Sequence, residues 1–203
     1  MDNYIIVSGN IGVGKTTLVQ KLGEYFNWHT VFESVTDNPY LEDFYSNMKY
    51  WSFHLQIYFL SCRIKQYLEA SKLYKSIIMD RSIYEDVNVF LPALYDLGNI
   101  TKRDVDTVLQ TYNIVHKILP LPNLLIYLKA PINTIMQRIN KRGLNFDYKN
   151  ISRDYLELIN SYYEKWVEQY KLSPILILDT KSLNYIEDNN CLKYIAELIV
   201  EKL

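Results

Sequence analysis

The chain has 203 residues, with 22 Lys and Arg against 23 Asp and Glu for a net charge of −1, and 49% of its residues are apolar. That composition excludes a disordered chain, and the charge balance argues against a broad basic face for nucleic acid, which would have to neutralise many phosphates. The length supports one sizeable core, so residues 1–203 are expected to form one domain.

In chain order, residues 4–8 are a short apolar run of the kind buried in a parallel sheet. The stretch Gly9-Asn10-Ile11-Gly12-Val13-Gly14-Lys15-Thr16 follows and holds three of the six glycines. It satisfies the pattern of Gly, four residues, then Gly-Lys-Ser/Thr, and helical spacing over 15–26 comes next. Strand, glycine loop and helix in that order let successive backbone N–H groups wrap a phosphate at a helix N-terminus. Lys15 supplies a charge to the terminal phosphates, and Thr16 offers its hydroxyl to Mg²⁺. This loop alone fits kinases, GTPases and ATPases equally.

A shorter strand is expected over 30–33, ending at Glu33, whose carboxylate would face the crevice beside the loop and could accept a substrate proton. Helical spacing returns over 51–73. There Gln56, Phe59 and Arg63 share one face, beside an apolar stripe of Trp51, Leu55, Tyr58 and Cys62 read as core. A third strand over 76–80 leads into Asp80-Arg81-Ser82. It places at one sheet edge an acid that can hold Mg²⁺ through water and a guanidinium that can steady phosphoryl oxygens.

Helices are expected over 84–97 and 102–119, a strand over 123–128, and a helix over 132–142, on which Arg138 and Arg142 are four residues apart and can reach the phosphates together. A helix over 152–170, a strand over 175–179 and a helix over 188–202 complete the chain. Strands alternating with helices imply an α/β fold with three layers and five parallel strands. Cys62 and Cys191 suit a reduced, cytoplasmic pair. The start of the chain lacks a signal-peptide pattern, and no apolar stretch has membrane-spanning length.

Gly9 to Thr17, Phe32-Glu33-Ser34, residues 51–56 (Trp-Ser-Phe-His-Leu-Gln) and residues 80–86 (Asp-Arg-Ser-Ile-Tyr-Glu-Asp) together resemble the deoxynucleoside kinase family, in order across nearly the whole chain. The small bacterial deoxyadenosine kinases look most similar. The resemblance implies a P-loop kinase fold, with ATP as donor, Mg²⁺, and transfer to a nucleoside 5′-hydroxyl in nucleotide salvage. It implies that Glu33 takes the hydroxyl proton and Arg81 steadies that oxygen and the phosphoryl group. Gln56 would read the base, Arg63 and Asp86 would pair in the base pocket, and Tyr45 and Asp147 would contact the sugar. Phe59 would narrow the pocket or stack on the base, with Phe44 and Phe90 as walls. Residues 138–150 correspond to a lid, and the loop after residue 179 to one over the ATP base.

Two departures stand out: Asp80 replaces a Glu common in the family, and Leu144 replaces a lid arginine. The Arg63–Asp86 pair should disfavour thymidine and admit deoxyadenosine, deoxyguanosine or deoxycytidine, with deoxyadenosine favoured. A homodimer is implied, with no nucleic-acid or membrane partner. The rival readings are a thymidylate kinase, which would carry an Asp where Asn10 stands, and a non-enzymatic nucleotide switch.

Overall fold

A computed structural model describes residues 2–33, 38–141 and 151–203. Five parallel strands, β1 (Asn3–Gly9), β2 (His29–Val31), β3 (Ser76–Asp80), β4 (Leu124–Lys129) and β5 (Ile175–Asp179), form one sheet in the order β2-β3-β1-β4-β5. β1, β3 and β4 are buried almost throughout, as near-continuous Ile, Val and Leu runs require when helices cover both faces of a sheet. β5 alternates buried and exposed positions, as an edge strand can.

The helices are α1 (Lys15–Phe26), α2 (Leu41–Ser46), α3 (Met48–Leu73), α4 (Ile83–Glu85), α5 (Leu91–Asp96), α6 (Lys102–His116), α7 (Ile132–Lys141), α8 (Arg153–Gln169) and α9 (Asn189–Lys202). Among the described residues none is long and apolar enough to cross a membrane. Side-chain caps set several starts. Asn47, Thr101 and Ser152 each accept a backbone N–H from the residue three positions on, which satisfies an otherwise orphaned donor. The Asn47 cap begins α3 three residues earlier than its hydrophobic spacing predicts.

Two expectations change. β2 ends at Val31, so Glu33 lies two residues beyond the strand rather than closing it. The helix expected over 84–97 is interrupted by a π turn, Asp86–Phe90, where the Leu91 N–H reaches the Asp86 carbonyl. Pro92 explains the break, since it cannot donate to the Asn88 carbonyl four residues back and its ring crowds that oxygen. The widened turn lets both Asp86 and Phe90 line the same cleft.

The chain runs from β1 through α1 to β2 on one side, returns to β3 beside β1, and then crosses to β4 on the other side of β1, so the crevice at this reversal of strand order opens at the C-terminal end of β1. Pairing of Val7 with Asp80 and of Gly9 with Leu128 brings the glycine loop level with the end of β3.

Candidate active site

The glycine loop adopts backbone angles that side chains oppose: Gly9 has φ 143°, Gly12 77° and Gly14 111°. A Cβ on Gly9 would overlap the Leu128 carbonyl oxygen, and one on Gly14 would meet the Tyr185 hydroxyl. From outside, Arg138 Nη1 donates to the Val13 carbonyl at 2.8 Å, and the Tyr185 hydroxyl donates to the Gly14 carbonyl at 3.2 Å. In a planar trans peptide the carbonyl and the next N–H point opposite ways, so these contacts turn the Gly14 and Lys15 amides toward the other side of the loop. Asn10 is buried and anchors the loop to α8, its Nδ2 donating to the Leu156 carbonyl at 2.9 Å. Lys15 Nζ donates to the Asn10 carbonyl at 2.9 Å. Burial, followed by the repulsion of Arg81, pulls the Lys15 ammonium down to about 8.

Thr16 donates its hydroxyl to Asp80 Oδ2 at 2.5 Å, which joins the loop to the end of β3. Asp80 Oδ1 is buried without a hydrogen-bond partner among the described residues. Burial raises the Asp80 carboxyl, and Lys15 opposes that shift. An orphaned carboxylate oxygen beside a threonine hydroxyl is a donor set that fits a hard divalent cation.

Arg81 follows with a left-handed backbone, φ 74°, rare for a residue with a side chain. That kink turns its guanidinium across the crevice, where Nε meets Glu33 Oε2 at 2.9 Å. The second Glu33 oxygen is held at 2.5 Å by Arg63 Nη2, and Arg63 Nη1 grips both oxygens of Asp86, at 2.5 and 2.6 Å. One unbroken chain of charges therefore runs from Asp86 through Arg63 and Glu33 to Arg81. Burial would raise the Glu33 carboxyl, but Arg81, Arg63 and Lys15 outweigh it and hold it below its ordinary value. Burial pushes Asp86 up to about 7 against the pull of Arg63. One guanidinium nitrogen held against both carboxylate oxygens is nonetheless the geometry of an ionised pair while Arg63 faces it.

These groups line a cleft with Ile11, Leu41, Phe44, Tyr45, Leu55, Gln56, Phe59, Phe90 and Tyr155. Phe59 stacks beneath the Arg63 guanidinium at 4.8 Å, and Phe90 beneath that of Arg81 at 4.9 Å. Gln56 is 4% exposed, and its Oε1 has no partner among the described residues. Of the stripe read as core on α3, Leu55 is buried but Trp51, Tyr58 and Cys62 are only half-buried, whereas Ser52, Gln56 and Arg63 lie inside. A polar face packs inward here because it lines the cleft.

The structure thus brings Glu33, Tyr45, Gln56, Phe59, Arg63, Arg81 and Asp86 into one cleft. Lys15, Thr16 and Asp80 cluster at the glycine loop. Arg138 engages the loop through carbonyls, its guanidinium also meeting the Thr180 hydroxyl and carbonyl at 2.8 and 2.6 Å. Arg142, Leu144 and Asp147 lie outside the described residues. Sequence reasoning missed Tyr155, Glu85 and Tyr163. Tyr163 donates to Glu85 and accepts from Arg81 across 82 sequence positions, a separation that leaves no local signal.

A phosphate loop opening onto a cleft, with acid and guanidinium paired between them, defines a P-loop phosphotransferase that takes a small acceptor. Residues 5–203 match the family described as deoxynucleoside kinase. The chain is 35% identical over 200 residues to the deoxyadenosine/deoxycytidine kinase of Bacillus subtilis, covering 98% of this chain and 92% of that protein. It is 33% identical to the deoxyguanosine kinase of Lactobacillus johnsonii, with coverage of 98% and 92%. A solved deoxyadenosine kinase from M. mycoides, with dCMP and dCDP bound as products, superposes with a TM-score of 0.84 at 31% identity, covering 97% and 98% of the two chains. The chain belongs to the deoxynucleoside kinase family, and it is an enzyme that phosphorylates a deoxynucleoside hydroxyl using a nucleotide donor.

Proposed function

We propose that the enzyme transfers the γ-phosphoryl group of ATP to the 5′-hydroxyl of a deoxynucleoside whose base carries an exocyclic amino group. Deoxyadenosine is the favoured acceptor, with deoxycytidine and deoxyguanosine as alternatives. The observation that carries this reading is the Asp86–Arg63–Glu33 chain. One guanidinium joins a carboxylate suited to accept from an amino group to a carboxylate suited to accept from a hydroxyl, so one bound molecule spans both. Names of relatives for adenine, cytosine and guanine nucleosides support the same class.

In this reading Glu33 orients the 5′-hydroxyl and receives its proton as the new O–P bond forms and ADP leaves with the electrons of the broken one. Lys15, Thr17 and the amides of Gly9 to Thr16 hold the donor, with Arg138 and Arg142 adding charge nearby. Arg81 meets the charge that develops on the transferring group. Gln56 and Phe59 position the base, and Tyr45 and Asp147 the sugar. Thr16 and Asp80 would hold Mg²⁺, which neutralises charge on the donor phosphates when bound.

The free thiols of Cys62 and Cys191 suit a cytoplasmic enzyme. A homodimer is also proposed, supported by Leu68 and Leu73 on α3 and Ile114 on α6, together with Ile118 just beyond it, all exposed on two helices that pack together. A monomeric mass in light scattering at micromolar concentration would remove the dimer.

The decisive experiment incubates the purified enzyme with ATP and Mg²⁺ and each of the four deoxynucleosides, plus adenosine, and identifies the products. The expected products are 5′-monophosphates of the three amino-bearing deoxynucleosides, with thymidine and adenosine poor. Thymidine turned over best, or phosphate placed on the 3′-oxygen, would overturn the proposal.

A further inference from the structure

Arg81 faces a mechanical problem. Its backbone sits at φ 74°, a conformation a non-glycine residue holds only when its surroundings impose it, and within the cleft the acid that fixes its guanidinium is Glu33. Once Glu33 turns to a substrate hydroxyl, that anchor is shared or lost. A second anchor lies behind Arg81, away from the cleft. Arg81 Nη1 donates at 2.8 Å to the hydroxyl of Tyr163, and that hydroxyl donates at 2.7 Å to Glu85 Oε2. The other Glu85 oxygen is fixed at 3.1 Å by the Ser82 backbone N–H, one residue past Arg81.

Tyr163 and Glu85 are both 0% exposed. Neither reaches the cleft, and a carboxylate buried that deeply persists only when it is paired. The nearest approach of Arg81 to Glu85 itself is 3.9 Å, so the phenol stands between the two charges and keeps them from closing. Burial favours a neutral phenol, which leaves Tyr163 both a donor and an acceptor.

We propose that Tyr163, backed by Glu85, is the positioning residue that keeps the Arg81 guanidinium aimed into the cleft after Glu33 engages substrate. The phenol acts as a spacer. It gives Arg81 an acceptor that holds its direction while keeping Glu85 at 3.9 Å, short of the close, hydrogen-bonded ion pair that would draw it out of the cleft. This inference rests on the reading of Arg81 given above, since a spacer matters only if Arg81 meets the transferring group.

The ring of Tyr163 packs against Tyr127 and Phe90, contacts that a phenylalanine retains, so Tyr163→Phe removes the hydroxyl alone. The test uses the full-length enzyme with ATP, Mg²⁺ and the deoxynucleoside it turns over best. In Tyr163→Phe, kcat is expected to fall about 10- to 100-fold, with the nucleoside KM shifted less than about threefold, because the lost contact acts on the transition state. Added to Arg81→Lys, the same change should lower kcat less than about twofold further, since the hydroxyl works only through the guanidinium.

Wild-type kcat in a folded Tyr163→Phe enzyme, or an undiminished loss on the Arg81→Lys background, would overturn the proposal. Should Tyr163→Phe fail to fold, Glu85→Gln is read by the same two criteria. Full turnover by Arg81→Lys would instead remove Arg81 from the reaction, a failure of the functional reading and distinguishable from failure of the spacer.

Discussion

Replacing Glu33 by Gln is expected to lower kcat by about a thousandfold while changing the nucleoside KM by less than about threefold, as befits loss of a positioned proton acceptor. Both carboxylate oxygens are engaged by guanidinium nitrogens, Arg63 on one and Arg81 on the other. Glutamine keeps the shape but presents an NH₂ to one of those donors, so it loses the charge and one contact together. The two arginines hold the Glu33 carboxyl below its ordinary value despite burial, so it is ionised throughout the neutral range. The deficit should therefore be the same from roughly pH 6 to pH 8, far above the titration of such a carboxylate. An acid held this low is a weak base, and its larger contribution is to orient the hydroxyl until the proton leaves late in the transfer. Steady-state kinetics of the purified variant checks this, and near-normal turnover would remove Glu33 from the reaction.

The second large effect concerns Arg63 and Asp86. Asp86→Ala strands a buried guanidinium with half of its counter-charge, and unfolding free energy should drop by about 3–5 kcal/mol. Exchanging both residues, in Arg63→Met with Asp86→Ala, removes the unpaired charge along with the pair and should recover most of that stability. The same double exchange deletes the acceptor that suits an amino group. Preference for deoxycytidine over thymidine, measured as the ratio of kcat/KM values in competition, should fall by about 100-fold. Removing Arg63 also frees one Glu33 oxygen and lets that carboxyl rise toward its ordinary value. Denaturant titration and competition assays read the two effects separately. A double variant with unchanged base preference would show that the pair supports the cleft without reading the base.

Much of this site is legible in the chain itself. The glycine loop announces itself because a tight phosphate turn tolerates few residue types, and Asp80-Arg81 because it ends an apolar strand, which in a parallel sheet puts it at the same edge as that loop. Arg63 and Gln56 are found from spacing along α3, but their burial is not: three polar residues on a helix ordinarily mark its wet face, and only the cleft reverses that rule. Glu33 was placed at a strand end because β-forming residues run up to it, although the ladder stops at Val31 and the chain then turns the side chain toward two arginines. α2 was missed because a six-residue helix offers too little periodicity. Pro92 is visible in the sequence, yet whether it starts, kinks or widens a helix depends on packing that no local pattern encodes. Tyr163 is the extreme case, since its partners come from a different part of the chain.

Helix α8 ties these observations together. Within about two turns it presents Tyr155 to the acceptor cleft, the Leu156 carbonyl to the donor loop through Asn10, and Tyr163 to Arg81. Both halves of the reaction are thus gauged against one rigid rod. A substitution in its interior, at Ile159 for instance, would mimic an active-site lesion without touching either reactant. Surveys that sort variants by distance from the reacting atoms would misfile it, and efforts to rework acceptor choice should leave that rod alone.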